Sequence, residues 1–258
     1  MPVSTDTSAD VTTTSIAIPP GANPRGTVIV LAGRGETAAV YTRFGHRIAF
    51  DAYPVRIVTG AATDPAAATA AVRDLLTDDE LPSPTFLVGS DAGARLALRI
   101  AASHDGGEAP AGVVVAGLPE PGAAEAGAGD GAGPPRSEET PDLAADADLR
   151  SACPVHRSVL ESPDNLEPGA LTRPLPEGLD LPAPRTVAAP VLAVLGGADA
   201  VIDVDASERW LSAVPHAEVV RTDAGLHDAL NDRTHRSVAA RIVLFLEDAK
   251  NGGAPLLR

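Results

Sequence analysis

The 258-residue chain has one cysteine, one tryptophan and one methionine, and its only lysine stands at position 250. A single thiol, Cys153, excludes an internal disulfide framework and suits a reducing compartment. Basic excess is missing as well: the formal charge is −15. That balance argues against binding nucleic acid, whose phosphates need a basic surface, and equally against an anionic membrane. No apolar run approaches the roughly 18 residues that cross a bilayer. The first ten residues have neither a basic start nor an apolar core, so no secretory signal is expected and a cytoplasmic site is. Acidic surfaces commonly serve solubility, and the charge carries no further functional reading.

What is present is enough chain for one core with an inserted lid, and 44% hydrophobic residues to fill it. Residues 1–12 are polar and read as a loose tail. Beyond them short β-prone runs alternate with longer helical ones. Strands are expected at 28–31, 55–58, 86–89, 113–117, 191–195 and 217–220. Helices are expected at 38–52, 64–78, from the glycine-rich turn to about 103, at 206–213 and at 234–249. Near-continuously apolar strands alternating with helices imply an α/β fold with a mostly parallel sheet covered on both faces. Between 118 and 185 the pattern breaks. Residues 119–148 are almost all Pro, Gly, Ala, Asp and Glu, with little to bury, so mobility is expected there. The organisation expected is a core of residues 13–118 and 185–258, interrupted by a lid of residues 119–184 above the sheet's C-terminal edge.

Three motifs carry chemistry. Gly89-Ser-Asp-Ala-Gly93 follows an apolar strand and opens a helix, and its spacing is that of a nucleophile elbow. The central side chain of such a turn is forced out above the sheet, and here it is Asp91. Asp199 follows the strand 191–195, and His227 lies between the last strand and the final helix. Ser90 is the alternative nucleophile, but moving the motif by one residue requires glycine where Val88 stands.

With this order of nucleophile, acid and histidine, the chain resembles the α/β-hydrolase superfamily over about residues 26–118 and 185–248. His227-Asp-Ala-Leu-Asn-Asp looks like the histidine region of lysophospholipase-like and monoacylglycerol-lipase-like members. An aspartate in the elbow is similar instead to epoxide hydrolases and haloalkane dehalogenases. The resemblance implies an oxyanion hole from the backbone N–H groups of Arg34, in Ala32-Gly-Arg-Gly-Glu, and Ala92. It also implies that Asp199 orients His227.

A carboxylate is ionised at neutral pH and needs no activating base. Asp91 can displace a leaving group at saturated carbon, leaving an alkyl ester that His227 hydrolyses by activating water. The expectation is therefore a cofactor-free hydrolase acting on a small organic molecule, an epoxide before a halide, as a monomer or homodimer. Two alternatives stand beside it: an ester hydrolase or lyase using His227 as base, and a non-catalytic binding protein. The lid has no tyrosine to activate an epoxide. Tyr41, His156 and Arg157 are the candidates for substrate contact. His46, His104, His216 and His235 fit no metal-ligand spacing, and Cys153 has no evident base partner.

Overall fold

The computed structural model describes residues 7–8, 11–103, 108–122 and 142–252. Eight strands form one sheet in the order β1-β2-β4-β3-β5-β6-β7-β8. β1 (Thr7–Ser8) pairs antiparallel with β2 (Val11–Ile16), and β2 antiparallel with β4 (Val55–Val58). All other pairings are parallel, through β3 (Thr27–Leu31), β5 (Thr85–Ser90), β6 (Gly112–Ala116), β7 (Val191–Gly196) and β8 (Ala217–Thr222). β3, β5, β6 and β7 are buried along their whole length. This is why their sequences read as unbroken apolar runs rather than alternating ones.

The expected loose tail is corrected at its end. Val11 and Thr12 belong to β2, whose polar middle residues Thr13–Ser15 hide the strand from a hydrophobicity reading. Val11 and Ile16 anchor its ends in the core, and the hydroxyls of Thr12 and Thr59 share a hydrogen bond of 2.8 Å. Most of the stretch expected to be mobile, residues 123–141, lies outside the described residues, as do His104 and most of residues 1–10.

Helices cover both faces. α2 (Pro65–Leu76), α3 (Ala92–Ala102) and α6 (Val204–Leu211) pack Val72, Leu76, Leu96 and Leu211 on one side. α1 (Thr42–Phe50) and α7 (His235–Lys250) pack Phe44, Ile48, Ile242 and Phe245 on the other. Each buried leucine or phenylalanine of this kind contributes about 1.5–3 kcal/mol. α2 starts where Asp64 accepts the Ala67 N–H and Pro65 takes the first turn.

The described part of the insertion holds α4 (Leu143–Arg150), α5 (Pro154–Leu160) and a 3-10 turn at Ala170–Thr172. It lies over the loop that follows β3: Thr37 N–H donates to Asn165 O at 3.1 Å and Glu167 N–H to Gly35 O at 2.8 Å. Among the described residues no helix is long and apolar enough to cross a membrane.

Candidate active site

The turn between β5 and α3 is tight because two residues have no side chain. A Cβ on Gly89 would run into the backbone of Gly93 and Ala94, and one on Gly93 into the carbonyls of Leu31 and Ala32. Between them Asp91 adopts φ 50° and ψ −116°. For a non-glycine residue such a conformation stores on the order of 1–3 kcal/mol. The turn is pinned by the Asp91 N–H, which donates to Ala116 O at 3.0 Å. The Asp91 side chain therefore leaves the sheet at the N-terminus of α3, where the helix dipole favours a negative charge.

Asp91 is fully buried, and both its oxygens are occupied. Oδ2 accepts from the Arg34 backbone N–H at 2.9 Å and from Arg34 Nε at 2.8 Å. Oδ1 accepts from Arg34 Nη2 at 2.8 Å. This is the forked guanidinium–carboxylate geometry that gives short, charge-assisted bonds. The third guanidinium nitrogen, Nη1, donates to Leu171 O at 3.1 Å and Arg173 O at 2.6 Å. Arg34 thus links the elbow to the insertion.

His227 approaches from the other side. The loop after β7 carries Asp199, whose Oδ1 accepts the Val201 N–H at 2.8 Å. Its Oδ2 lies 2.9 Å from His227 Nδ1. Nδ1 therefore bears the proton shared with Asp199, which leaves Nε2 facing Asp91. His227 Nε2 is buried without a hydrogen bond and stands 3.5 Å from Asp91 Oδ1. The structure brings together Asp91, Asp199 and His227 from loops after three different strands.

Two cations flank one carboxylate here, and the proton affinities follow. Burial alone would raise the Asp91 carboxyl, but Arg34 and His227 hold it well below the usual carboxylate range. Burial would lower the His227 imidazole, yet Asp199 and Asp91 push it up to about 10. Asp91, Arg34, His227 and Asp199 form a buried quartet, at 0% exposure for Asp91, 1% for His227 and 8% for Arg34. A cleft of about 500 Å³ opens on the other strands, between Gly33, Glu36, Thr59 and Leu166, with neither Asp91 nor His227 in its wall.

The proposed oxyanion donors divide. The Arg34 N–H reaches Asp91 Oδ2, whereas among the described residues the carboxylate receives no bond from the Ala92 N–H. The three candidates for substrate contact are corrected. Tyr41 is buried behind the loop after β3, donating to Glu36 Oε2 and accepting the Gly33 N–H at 3.0 Å. His156 is buried, and its Nε2 lies 2.5 Å from Asp228 Oδ2. Arg157 pairs on the surface with Asp148 and Glu161. Cys153 accepts a bond from Arg43 Nη1 at 3.4 Å. Among the described residues no group of three His, Cys, Asp or Glu side chains could hold a metal ion.

The Arg34 side chain is the part that residue patterns missed. Its only local signal is a cation between two glycines in the loop facing the elbow. A second buried network went unread too. Arg150 Nη1 donates to Glu36 Oε1 at 2.5 Å and Nη2 to Arg34 O at 2.9 Å, while Glu36 Oε2 accepts the Gly33 N–H at 3.0 Å.

No protein-family model matches the sequence, and no curated protein does either. Solved structures do. An esterase from Rhodococcus sp. is similar at 19% identity and TM-score 0.68, over 96% of this chain and 100% of that one. A soluble variant of monoglyceride lipase from Saccharomyces cerevisiae is similar at 14% identity and TM-score 0.68, over 96% of this chain and 95% of that one. A carboxyl esterase from Bacillus coagulans is similar at 18% identity and TM-score 0.67, over 96% and 98%. At such identities the likeness is one of fold, and the chain has the α/β-hydrolase fold.

Proposed function

We propose that this α/β-hydrolase-fold protein is a hydrolase of small organic molecules that works through a covalent ester on Asp91. The observation that carries the reading is the split between the two Asp91 oxygens. Oδ2 lies on the Arg34 backbone N–H and Nε, where a developing oxyanion would be stabilised, while Oδ1, which accepts from Arg34 Nη2 at 2.8 Å, also faces His227 Nε2 at 3.5 Å. In this reading residues 119–184 are a lid, and the structure is the closed resting form.

In the first step an Asp91 Oδ1 lone pair forms a bond to a saturated carbon. The carbon–oxygen bond of an epoxide, or a carbon–halogen bond, breaks, and its electron pair leaves with the oxygen or halide. Arg34 Nη1 is the one guanidinium nitrogen not already on the carboxylate. Once the lid releases it, Nη1 can receive the departing anion, the role for which the lid offers no tyrosine. An alkoxide then takes a proton from solvent.

Esterification removes the Asp91 charge. His227 keeps Asp199 and Asp228 as anionic neighbours but loses Asp91, so its proton affinity falls and the Nε2 proton passes to solvent. Neutral Nε2 accepts a proton from water, whose oxygen adds to the Asp91 carboxyl carbon. The oxyanion on Oδ2 is held by Arg34. Collapse expels the alcohol, which takes the proton from His227, and Asp91 is regenerated with one oxygen from water.

Single turnover of styrene oxide in heavy-oxygen water tests the scheme, with 1-bromobutane as the halide probe. The expected result is heavy oxygen in the Asp91 peptide and none in the first-turnover product. Label entering the product directly overturns it. A second reading, a non-catalytic binding protein, is favoured by the burial of the quartet, which leaves Asp91 outside the wall of the 500 Å³ cleft. Its mark is that neither probe, nor a nitrophenyl ester, is turned over above background by the folded protein.

A further inference from the structure

We propose that α4 is the clamp that aligns the two halves of the Asp91 site, with Arg150 as its positioning residue. The inference uses the Asp91 reading for its effect on rate, while its geometric part stands without turnover.

Arg150 is fully buried. Its Nη2 donates to Arg34 O, and its Nη1 to Glu36, which in turn accepts the Gly33 N–H. The peptide group before Gly33 is therefore held by Glu36 and the one after Arg34 by Arg150, and the two side chains are joined. Between them lies the Arg34 N–H, which donates to Asp91 Oδ2 at 2.9 Å. The same end of α4 holds the histidine loop through its backbone. Leu149 O accepts the His227 N–H at 3.4 Å and Arg150 O accepts the Asp228 N–H at 2.9 Å. A third tie runs from Asp146 Oδ2, which accepts the Gly169 N–H at 2.5 Å, to the turn whose Leu171 O receives Arg34 Nη1.

One short helix thus touches the loop that presents Arg34, the loop that presents His227 and the turn that holds the guanidinium. With eight residues it is too short to be stable alone, so its position and these contacts stand or fall together. Simple packing would not need a cation there. A buried charge is expensive to desolvate, and an apolar side chain of similar volume fills such space as well or better. What the apolar side chain cannot do is donate to Arg34 O and Glu36 at once. Arg150 acts on Asp91 only through Arg34 and His227, which makes it a positioning residue.

The test compares Arg150→Met with the double variant Glu36→Gln/Arg150→Met, which removes the stranded carboxylate charge and so keeps the fold. Two readouts are used on the full chain: the low-field proton resonance of the His227 Nδ1–H on Asp199, and the rate at which styrene oxide esterifies Asp91. The folded double variant is expected to shift or broaden the resonance and to slow esterification about 10²-fold, the scale of a 1 Å misplacement. Arg150→Lys, which keeps one of the two donors, is expected to recover part of both. A folded double variant with an unchanged resonance and an unchanged rate overturns the proposal and leaves Arg150 a packing residue. Should the wild type form no ester while the resonance still responds, the Asp91 reading fails and the clamp stands.

Discussion

Asp91 and Glu36 are both buried carboxylates held by an arginine, yet their surroundings push them in opposite directions. Glu36 has Arg150, but Asp228 and Asp91 are also near it, and burial leaves its carboxyl raised. Asp91 has Arg34, the His227 imidazolium and a helix N-terminus, and it lies well below the ordinary range. Glu36 spends its oxygens on Arg150, Tyr41 and the Gly33 N–H, and its backbone is relaxed. Asp91 sits at a strained φ of 50° and faces an ionisable ring nitrogen that has no hydrogen bond. The same ion-pair chemistry therefore serves a relaxed, fully bonded carboxylate at one position and, at the other, a strained one that is the proposed nucleophile.

The largest effect that would break this comparison is on reaction rate. Asp91→Asn keeps the side-chain shape and tolerates a positive φ. It is expected to lower ester formation by about 10⁴-fold, the scale of losing a member of a catalytic triad. Next in size is stability. Arg150→Met strands a buried carboxylate and is expected to lose about 3–5 kcal/mol in urea unfolding. Arg34→Met is expected to lose less, because His227 still faces Asp91 as a cation. Equal losses at the two arginines would erase the distinction between the networks.

The third effect is on pH dependence. The His227 affinity is raised in the folded state, so its contribution is complete below the ordinary imidazole value of 6.5 and is lost as pH climbs through about 10. The Asp91 affinity is lowered, so its contribution is present above 3.8 and is lost as pH falls. Unfolding free energy measured from pH 7 to 10 should fall with a slope of up to about 1.4 kcal/mol per unit. The slope should flatten in His227→Gln. The smallest effect is at Arg157, whose partners are on the surface. Arg157→Ala is expected to change stability by no more than about 1 kcal/mol and esterification not at all.

The parallel sheet was legible because buried strands write themselves as apolar runs, and the elbow because only glycine fits two of its positions. Asp199 and His227 were legible from their place after consecutive strands. Arg34 was not, since its side-chain partners lie 57 and more than 130 residues away and no local pattern records which way a loop cation turns. β2 was hidden by its run of threonines, which pair with β4 without supplying an apolar face. Tyr41, His156 and Arg157 looked available because chemistry-bearing residues near a site in sequence are easily mistaken for residues at it. Each is already committed to a carboxylate elsewhere.

Asp91 is the proposed oxygen donor to a covalent intermediate, and trapping that intermediate tests the proposal most directly. His227→Gln removes the base that hydrolyses the ester, so styrene oxide incubated with this variant should accumulate as an ester on the peptide containing Asp91, detected by mass spectrometry and absent in Asp91→Asn/His227→Gln. An unmodified Asp91 peptide in the folded variant, under conditions where the wild type turns the epoxide over, would contradict the account.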